Sequence, residues 1–292
     1  MTKNDITRGL IDFAVSQCLK NIKEDPYRSI RRLADLGRQF AKGRFQEELF
    51  SLFQRLLLNE DDPYYEMLKQ LVSSVDTDSL KTLGINIGYN SWTCGASRLR
   101  QITAEKDYPH WLAEISLSPE SSASQLKEQL SAALKNGTYA FRLHMPSQSI
   151  TTDTRQLGLI REFPDCSFFL DFMDTDCTYS DDLLELTCSC DNLAFLVPFG
   201  SLQSRQLVDL LNARQRIYGV CRTYDNTNAA ERISDSQISE MLSWGSPLLF
   251  FLAAADTTQD NRLLVDNAIL DARLHQTYPA LLIHLDADVA RI

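Results

Sequence analysis

Several apolar runs in the C-terminal two-thirds of the chain end on residues that could do chemistry. Arg142 and His144 close "YAFRLHM" (139–145), and Asp171 and Asp174 follow "SFFLDF" (167–172). Arg222, Tyr224 and Asp225 end "IYGVCRT" (217–223) or follow it, Asp256 follows "PLLFFLAA" (247–254), and His284, Asp286 and Asp288 stand at the end of the chain. Charged groups gathered in a partly apolar mouth are costly unless paired or facing a ligand. Arg142 with Asp171, and Arg222 with Asp256, are candidate internal pairs. The alternative is a small anionic or polar ligand, and the candidate ligand-binding set is Arg142, His144, Asp171, Asp174, Arg222 and Asp256.

Other chemistries find less support. One histidine with acids on separate strands, as in His144, Asp171 and Asp174, falls short of a metal-ligand pattern, so no metal is expected. His110 and His275 stand away from the run ends. The chain has no G-x-S-x-G elbow and no P-loop, and "GINIG" (84–88) lacks the G-x-G-x-x-G spacing of a dinucleotide fingerprint. Catalytic residues cannot be named from these patterns.

For such residues to meet, the runs must be neighbouring strands. Seven runs read as strands: 111–117, 139–145, 167–172, 193–198, 217–223, 247–254 and 280–286. Their starts are 28, 28, 26, 24, 30 and 33 residues apart, which is room for one strand, one helix and two short loops. Parallel strands need such crossovers, and helices over the sheet explain runs that are apolar on both faces. Ser122 and Gln125 form an S-x-x-Q capping box, and Asn136-Gly137 ends the helix it starts. Only about 180 residues remain for this part, too few for an eight-stranded barrel of roughly 250 residues. The expected fold is α/β: a partial (βα)6-type parallel barrel over 109–292, with an all-helical extension over 1–80 and a linker over 81–108.

The extension shows helical spacing at Leu10, Phe13, Ala14 and Cys18, and again at Phe45, Leu49, Leu52, Phe53 and Leu56. Asp25-Pro26 and Asp62-Pro63 mark helix starts, because Asp caps free amides and Pro fits the first turn. Leu49, Phe53 and Leu56 are expected to pack on the barrel.

Composition sets limits. The 292 residues carry a net charge of −10, and 44% are hydrophobic. Residues 1–60 hold +3 and the remainder −13. An acidic body is a poor nucleic-acid binder, so no nucleic-acid partner is expected. No run of 18 apolar residues suggests a membrane span. Seven scattered cysteines (Cys18, Cys94, Cys166, Cys177, Cys188, Cys190 and Cys221) suit a reducing, cytoplasmic setting with free thiols. Cys177, Cys188 and Cys190 are the densest group.

At "DTDSLKTLGINIGYNSWTCGASRLRQI" (76–102), preceded by "DDPYYEMLKQLVSSV" (61–75), the chain resembles radical S-adenosylmethionine proteins. The stretch is similar to the segment that joins a helical prefix to the partial barrel of that superfamily. The resemblance implies a C-x-x-x-C-x-x-C loop after the first strand, whose three thiolates hold a [4Fe–4S] cluster. In this chain that loop reads "SPESSASQ" (118–125), and no cysteine occurs between Cys94 and Cys166. Serine hydroxyls are poor substitutes for thiolates at such clusters. The family's glycine-rich motif after the second strand is replaced by "HMPSQS" (144–149). Neither a cluster nor S-adenosylmethionine is therefore expected as cofactor, and the serine-rich tip reads as a helix cap. The expected function is a non-catalytic accessory, regulatory or binding protein, with a radical enzyme or a small anionic ligand as partner. Two alternatives stand beside it. One is an enzyme of another class doing acid–base chemistry at the polar mouth. The other is an interaction scaffold built on the helical N-terminus.

Overall fold

All seven apolar runs form strands, and every one is parallel to its neighbours. In this computed structural model they are β1 (Leu112–Ser116), β2 (Ala140–Met145), β3 (Ser167–Phe172), β4 (Leu193–Pro198), β5 (Tyr218–Tyr224), β6 (Leu248–Ala253) and β7 (Leu281–His284). They lie in sequence order, β1-β2-β3-β4-β5-β6-β7, with β1 and β7 at the edges. The structure describes all residues except 1–2, 21, 23, 41–46, 48–49, 52–53, 56, 103–110, 119–121, 146–153, 173–180 and 292.

Strict sequence order with helical crossovers curls the sheet in one direction. Side chains from opposite parts of it therefore meet: Leu112 (β1), Ala140 (β2), Leu196 (β4), Cys221 (β5) and Phe250 (β6) share one interior cluster. The gap between the edges is bridged by the C-terminal helix, where the Trp111 indole donates to the Val289 carbonyl at 3.2 Å. The result is an α/β half-barrel, as the strand spacing implies.

The larger core lies between the strands and their outer helices. It contains Phe141, Phe168, Leu170, Phe195, Val220 and Phe251, none of them measurably exposed. Fully burying each such side chain contributes about 1.5–3 kcal/mol. The crossover helices include α6 (Ala123–Asn136), α8 (Asp181–Cys188), α9 (Leu202–Ala213), α11 (Asp235–Leu242), α12 (Gln259–Leu274) and the C-terminal α13 (Leu285–Arg291). Helix α6 starts as its sequence implies: Ser122 Oγ accepts from the Gln125 N–H, and the Gln125 side chain accepts from the Ser122 N–H. It ends on Gly137, whose φ of 105° suits glycine. A Cβ there would stand 2.9 Å from the Gly95 carbonyl oxygen.

Helices α1 (Lys3–Lys20), α2 (Pro26–Phe40), α3 (Pro63–Ser74) and α4 (Thr77–Ile85) precede the barrel. Both Asp-Pro pairs start helices, but in different ways. Asp25 Oδ1 accepts from the Arg28 N–H, whereas the Asp62 carboxylate makes no cap and instead accepts from Asn59 at 2.9 Å. The stretch expected as linker is helical as far as Ile102. After α4 comes a ten-residue π-helix, Asn86–Gly95, and then α5 (Ala96–Ile102).

These helices close the end of the half-barrel where the strands begin. The Tyr64 N–H donates to Gln276 Oε1, Gln70 Nε2 donates to the Gly245 carbonyl, and the Asp76 N–H donates to the Gln215 carbonyl. Asn86 and Asn90 on the π-helix donate to the carbonyls of Pro164, Asp165 and Cys166. Each acceptor lies between a helix and the strand that follows it. Val75 and Leu83 pack with Ala194 and Ile217 at the same end. The packing expected of Leu49, Phe53 and Leu56 falls outside the described residues.

Candidate functional site

Two-residue alternation decides which side chains enter the half-barrel. On β2, Phe141, Leu143 and Met145 join the core beneath the helices, so Ala140, Arg142 and His144 face inward. The register places Glu114 of β1 beside Arg142, and sets Ser116 of β1 and Asp171 of β3 on either side of His144. Four ionisable groups from three adjacent strands thus share one patch.

Their contacts are mutual. Arg142 Nε and Nη2 both donate to Asp171 Oδ2, at 2.9 and 2.6 Å, and Nη1 donates to Glu114 Oε1 at 2.8 Å. His144 Nε2 lies 3.3 Å from Glu114 Oε2, and Nδ1 lies 3.3 Å from Asp171 Oδ2. The second contact is ionic rather than a well-aligned hydrogen bond. Arg142 and Asp171 are almost fully buried, with side chains 6% and 4% exposed, whereas Glu114 is half-exposed.

The electrostatics follow from this packing. The contact with Asp171, and then that with Glu114, raises the His144 pKa above its ordinary value. The His144 contact and the Arg142 charge outweigh burial at Glu114 and hold its pKa down to about 2. Burial opposes the Arg142 charge, but Asp171 and Glu114 overcome it and raise the guanidinium pKa. The expected Arg142–Asp171 pair is present, and His144 joins it. All three guanidinium nitrogens of Arg142 are engaged by carboxylates. With His144 protonated the quartet is neutral.

The other sequence-derived candidates lie elsewhere. Arg222 is a correction: the alternation of β5 turns it outward, toward the helices. Its guanidinium stacks over the Phe199 ring at 4.7 Å, near Arg232, and Nη1 is buried without a hydrogen-bond partner among the described residues. Burial and the nearby Arg232 charge lower its pKa. The Arg222–Asp256 pair does not form; the Asp256 carbonyl accepts from Asn226 in an exposed loop. His284 also faces outward, where Nε2 meets the Tyr224 hydroxyl at 2.6 Å and Nδ1 lies 3.4 Å from Asp266. Asp286 pairs with Arg262, and Asp288 with Arg273 and Arg291. Asp174 lies outside the described residues.

Beneath the quartet is a feature that strand-end reading missed. A chamber of about 630 Å³ occupies the half-barrel toward the strand beginnings. Leu112, Phe169, Leu196, Phe250 and Ile283 form its strand wall, and Arg142 borders it. Gly219 makes the seat for Phe250, since a Cβ there would stand 2.2 Å from the ring. Ile87 and Trp92 border the chamber from the π-helix. They are five residues apart, one π turn, so this helix type puts both on one face. Trp92 meets Trp111 edge to face, with centroids 5.7 Å apart.

The described cysteines do not fit an iron–sulfur cluster. Cys18 is on α1 and Cys94 on the π-helix, Cys166 precedes β3, Cys188 ends α8, Cys190 stands between α8 and β4, and Cys221 lies in the wall of β5. Burial raises the pKa of Cys166 to about 12 and that of Cys221 well above its ordinary value, so both stay as thiols. Cys188 and Cys190 are likewise raised by burial. Among the described residues no three histidine, cysteine or acidic side chains are grouped as metal ligands. The sequence between β1 and the Ser122 cap carries no thiol. Cys177 lies outside the described residues.

No helix among the described residues is long and apolar enough to cross a membrane. A scan against protein-family models finds no match, and a search of the curated proteins finds none. Among solved structures, the chain is similar to Streptococcus suis SuiB bound to S-adenosylmethionine. That similarity has a TM-score of 0.46 and 8% identity over 59% of this chain. The chain spans 46% of the length of that structure.

Proposed function

We propose that this chain is a radical-S-adenosylmethionine-like half-barrel that holds no cluster and acts as a non-catalytic binding protein. The dispersal of its thiols is the observation that carries this reading. Three thiolates must converge on one cluster, whereas the described cysteines stand on separate helices, before strands and in a strand wall. The tip where they would be needed offers serines. An accessory or regulatory role follows if what it binds is the substrate or product of another protein.

Anaerobic purification and reconstitution with iron and sulfide tests this. No stoichiometric cluster is expected. A broad absorbance near about 400 nm, lost on changing Cys188 and Cys190, would overturn the reading. A thermal-shift screen of phosphates, carboxylates, nucleotides and S-adenosylmethionine then identifies polar ligands of the mouth.

One observation favours a second reading, acid–base catalysis on a small substrate. His144 is held between two carboxylates and keeps its proton above the usual imidazole range. A screened compound that is turned over by the wild type and not by His144→Gln would replace the first reading with this one.

A further inference from the structure

The chamber beneath the quartet has a composition that specifies an occupant. Its volume of about 630 Å³ lies within the range of small-molecule sites, roughly 300–1,000 Å³. Its strand wall is apolar below Arg142. Trp92, Trp111, Phe169 and Phe250 supply aromatic surface, and leucine and isoleucine side chains complete it. Flat ring systems pack well against such walls.

The charges at its border are already neutralised. Arg142 is engaged as described. Arg273 Nη1 donates to Asp288 Oδ1 at 2.9 Å and Nε donates to the Leu282 carbonyl at 2.6 Å, while Arg291 Nη1 donates to Asp288 Oδ1 at 3.0 Å. Among the described residues a charged ligand would find no unpaired counter-charge here, and burying its charge would be costly.

Tyr64 is different. It borders the chamber from the start of α3, it is 2% exposed, and its hydroxyl has no hydrogen-bond partner among the described residues. Burial raises the phenol pKa to about 12, so the group remains a donor. Its neighbour Tyr65 shows the usual solution: that hydroxyl donates to the Leu57 carbonyl and accepts from Arg31 Nε, each at 2.8 Å. A buried hydroxyl normally has such a partner.

We propose that this chamber, at the strand-beginning end of the half-barrel, binds a flat, neutral, largely apolar molecule that offers one hydrogen-bond acceptor to the Tyr64 hydroxyl. The proposal rests on the binding-protein reading and adds the site and the chemical class of ligand.

The test uses the full chain and two probes of nearly equal shape. 2-Acetylnaphthalene carries one carbonyl acceptor, and 2-ethylnaphthalene carries none. Binding is followed by titration calorimetry, with wild type beside Tyr64→Phe. Wild type is expected to bind the ketone about 2- to 10-fold more tightly than the hydrocarbon, the usual range for one net hydrogen bond. Tyr64→Phe is expected to bind the ketone no more tightly than the hydrocarbon, because the buried carbonyl then has no donor, with ligand-free Tm equal to or above that of wild type. Failure of wild type to bind either probe would overturn the chamber as a site. A ketone preference that persists in Tyr64→Phe would overturn the role of Tyr64. A clear fall in ligand-free Tm would show that the hydroxyl is used within the protein, with the same consequence. A cluster formed on reconstitution would overturn the reading of the cysteines and leave these binding results standing, so the two failures are distinguishable.

Discussion

Replacing Arg142 by methionine tests whether the quartet is structural. The Arg142 side chain is 6% exposed and its guanidinium holds Asp171, whose side chain is 4% exposed, through contacts of 2.9 and 2.6 Å. Methionine keeps much of the volume and removes the charge. Asp171 is then buried with only His144 beside it, at 3.3 Å. Breaking a buried pair from one side costs about 3–5 kcal/mol. Glu114 also loses its arginine contact, but it is half-exposed and rehydrates, so it adds little. For a chain of this size the loss corresponds to a fall in Tm of roughly 6–20 °C, at about 2–4 °C per kcal/mol. The cost is expected to be smaller at pH 6 than at pH 8, because protonated His144 partly replaces the missing cation. Removing both charges with Arg142→Met and Asp171→Leu is expected to recover most of the stability, since apolar replacement of a whole buried pair is often neutral. Urea unfolding followed by circular dichroism at both pH values measures all of this. A single-variant loss below about 1 kcal/mol, or a double variant worse than the single one, would refute the reasoning.

The pH dependence of the wild type is a second expectation. His144 has a raised folded pKa, so its contribution is fully present below the unfolded value of 6.5 and is lost as pH rises through the folded value. Glu114 has a lowered pKa, so its contribution is present above its ordinary 4.5 and is lost as pH falls toward about 2. Tm measured from pH 3 to 9 should therefore fall on both sides of a window of about 4.5 to 6.5 relative to a His144→Gln reference, and a flat difference curve would contradict the quartet geometry. The adjacent tyrosines give a third: Tyr65→Phe removes a buried hydroxyl that donates to the Leu57 carbonyl and accepts from half-exposed Arg31, and should cost about 1–3 kcal/mol in urea unfolding, in contrast to Tyr64→Phe.

The strands were legible because helices cover the outer side and apolar side chains line much of the inner side, leaving nearly unbroken apolar runs such as "SFFLDF". Their spacing then implied parallel crossovers. The Arg142–Asp171 pair was legible for the same reason, since adjacent strands with charges near their ends bring those charges together. Arg222 was misplaced because a strand end alone does not fix a side. Gly219 and Cys221 face inward on β5, so parity sends Arg222 outward, and counting from Gly219 would have shown it. Glu114 was missed although it lies two residues before Ser116 on β1; its proximity to Arg142 depends on register, which spacing alone does not give. Tyr64 and the chamber were beyond the sequence. Tyr64 reaches Gln276 across 212 residues, and the chamber exists only because the sheet curls without closing.

That open curvature connects the two features. A closed eight-stranded barrel fills its interior with layers of side chains from alternate strands. Here β1 and β7 stand at opposite edges, and one inward layer of Phe169, Leu196, Phe250 and Ile283 does not fill the space between them. The π-helix closes the chamber below, and α13 crosses the open side. Above it, Arg142 is the member of the quartet that reaches the chamber, and it also ties β1, β2 and β3 together through Glu114 and Asp171. Its aliphatic stem can cover apolar surface while its guanidinium stays with the carboxylates. The charge layer therefore needs no ligand of its own to account for it, whereas the Tyr64 hydroxyl at the opposite end, without a partner among the described residues, does call for an acceptor.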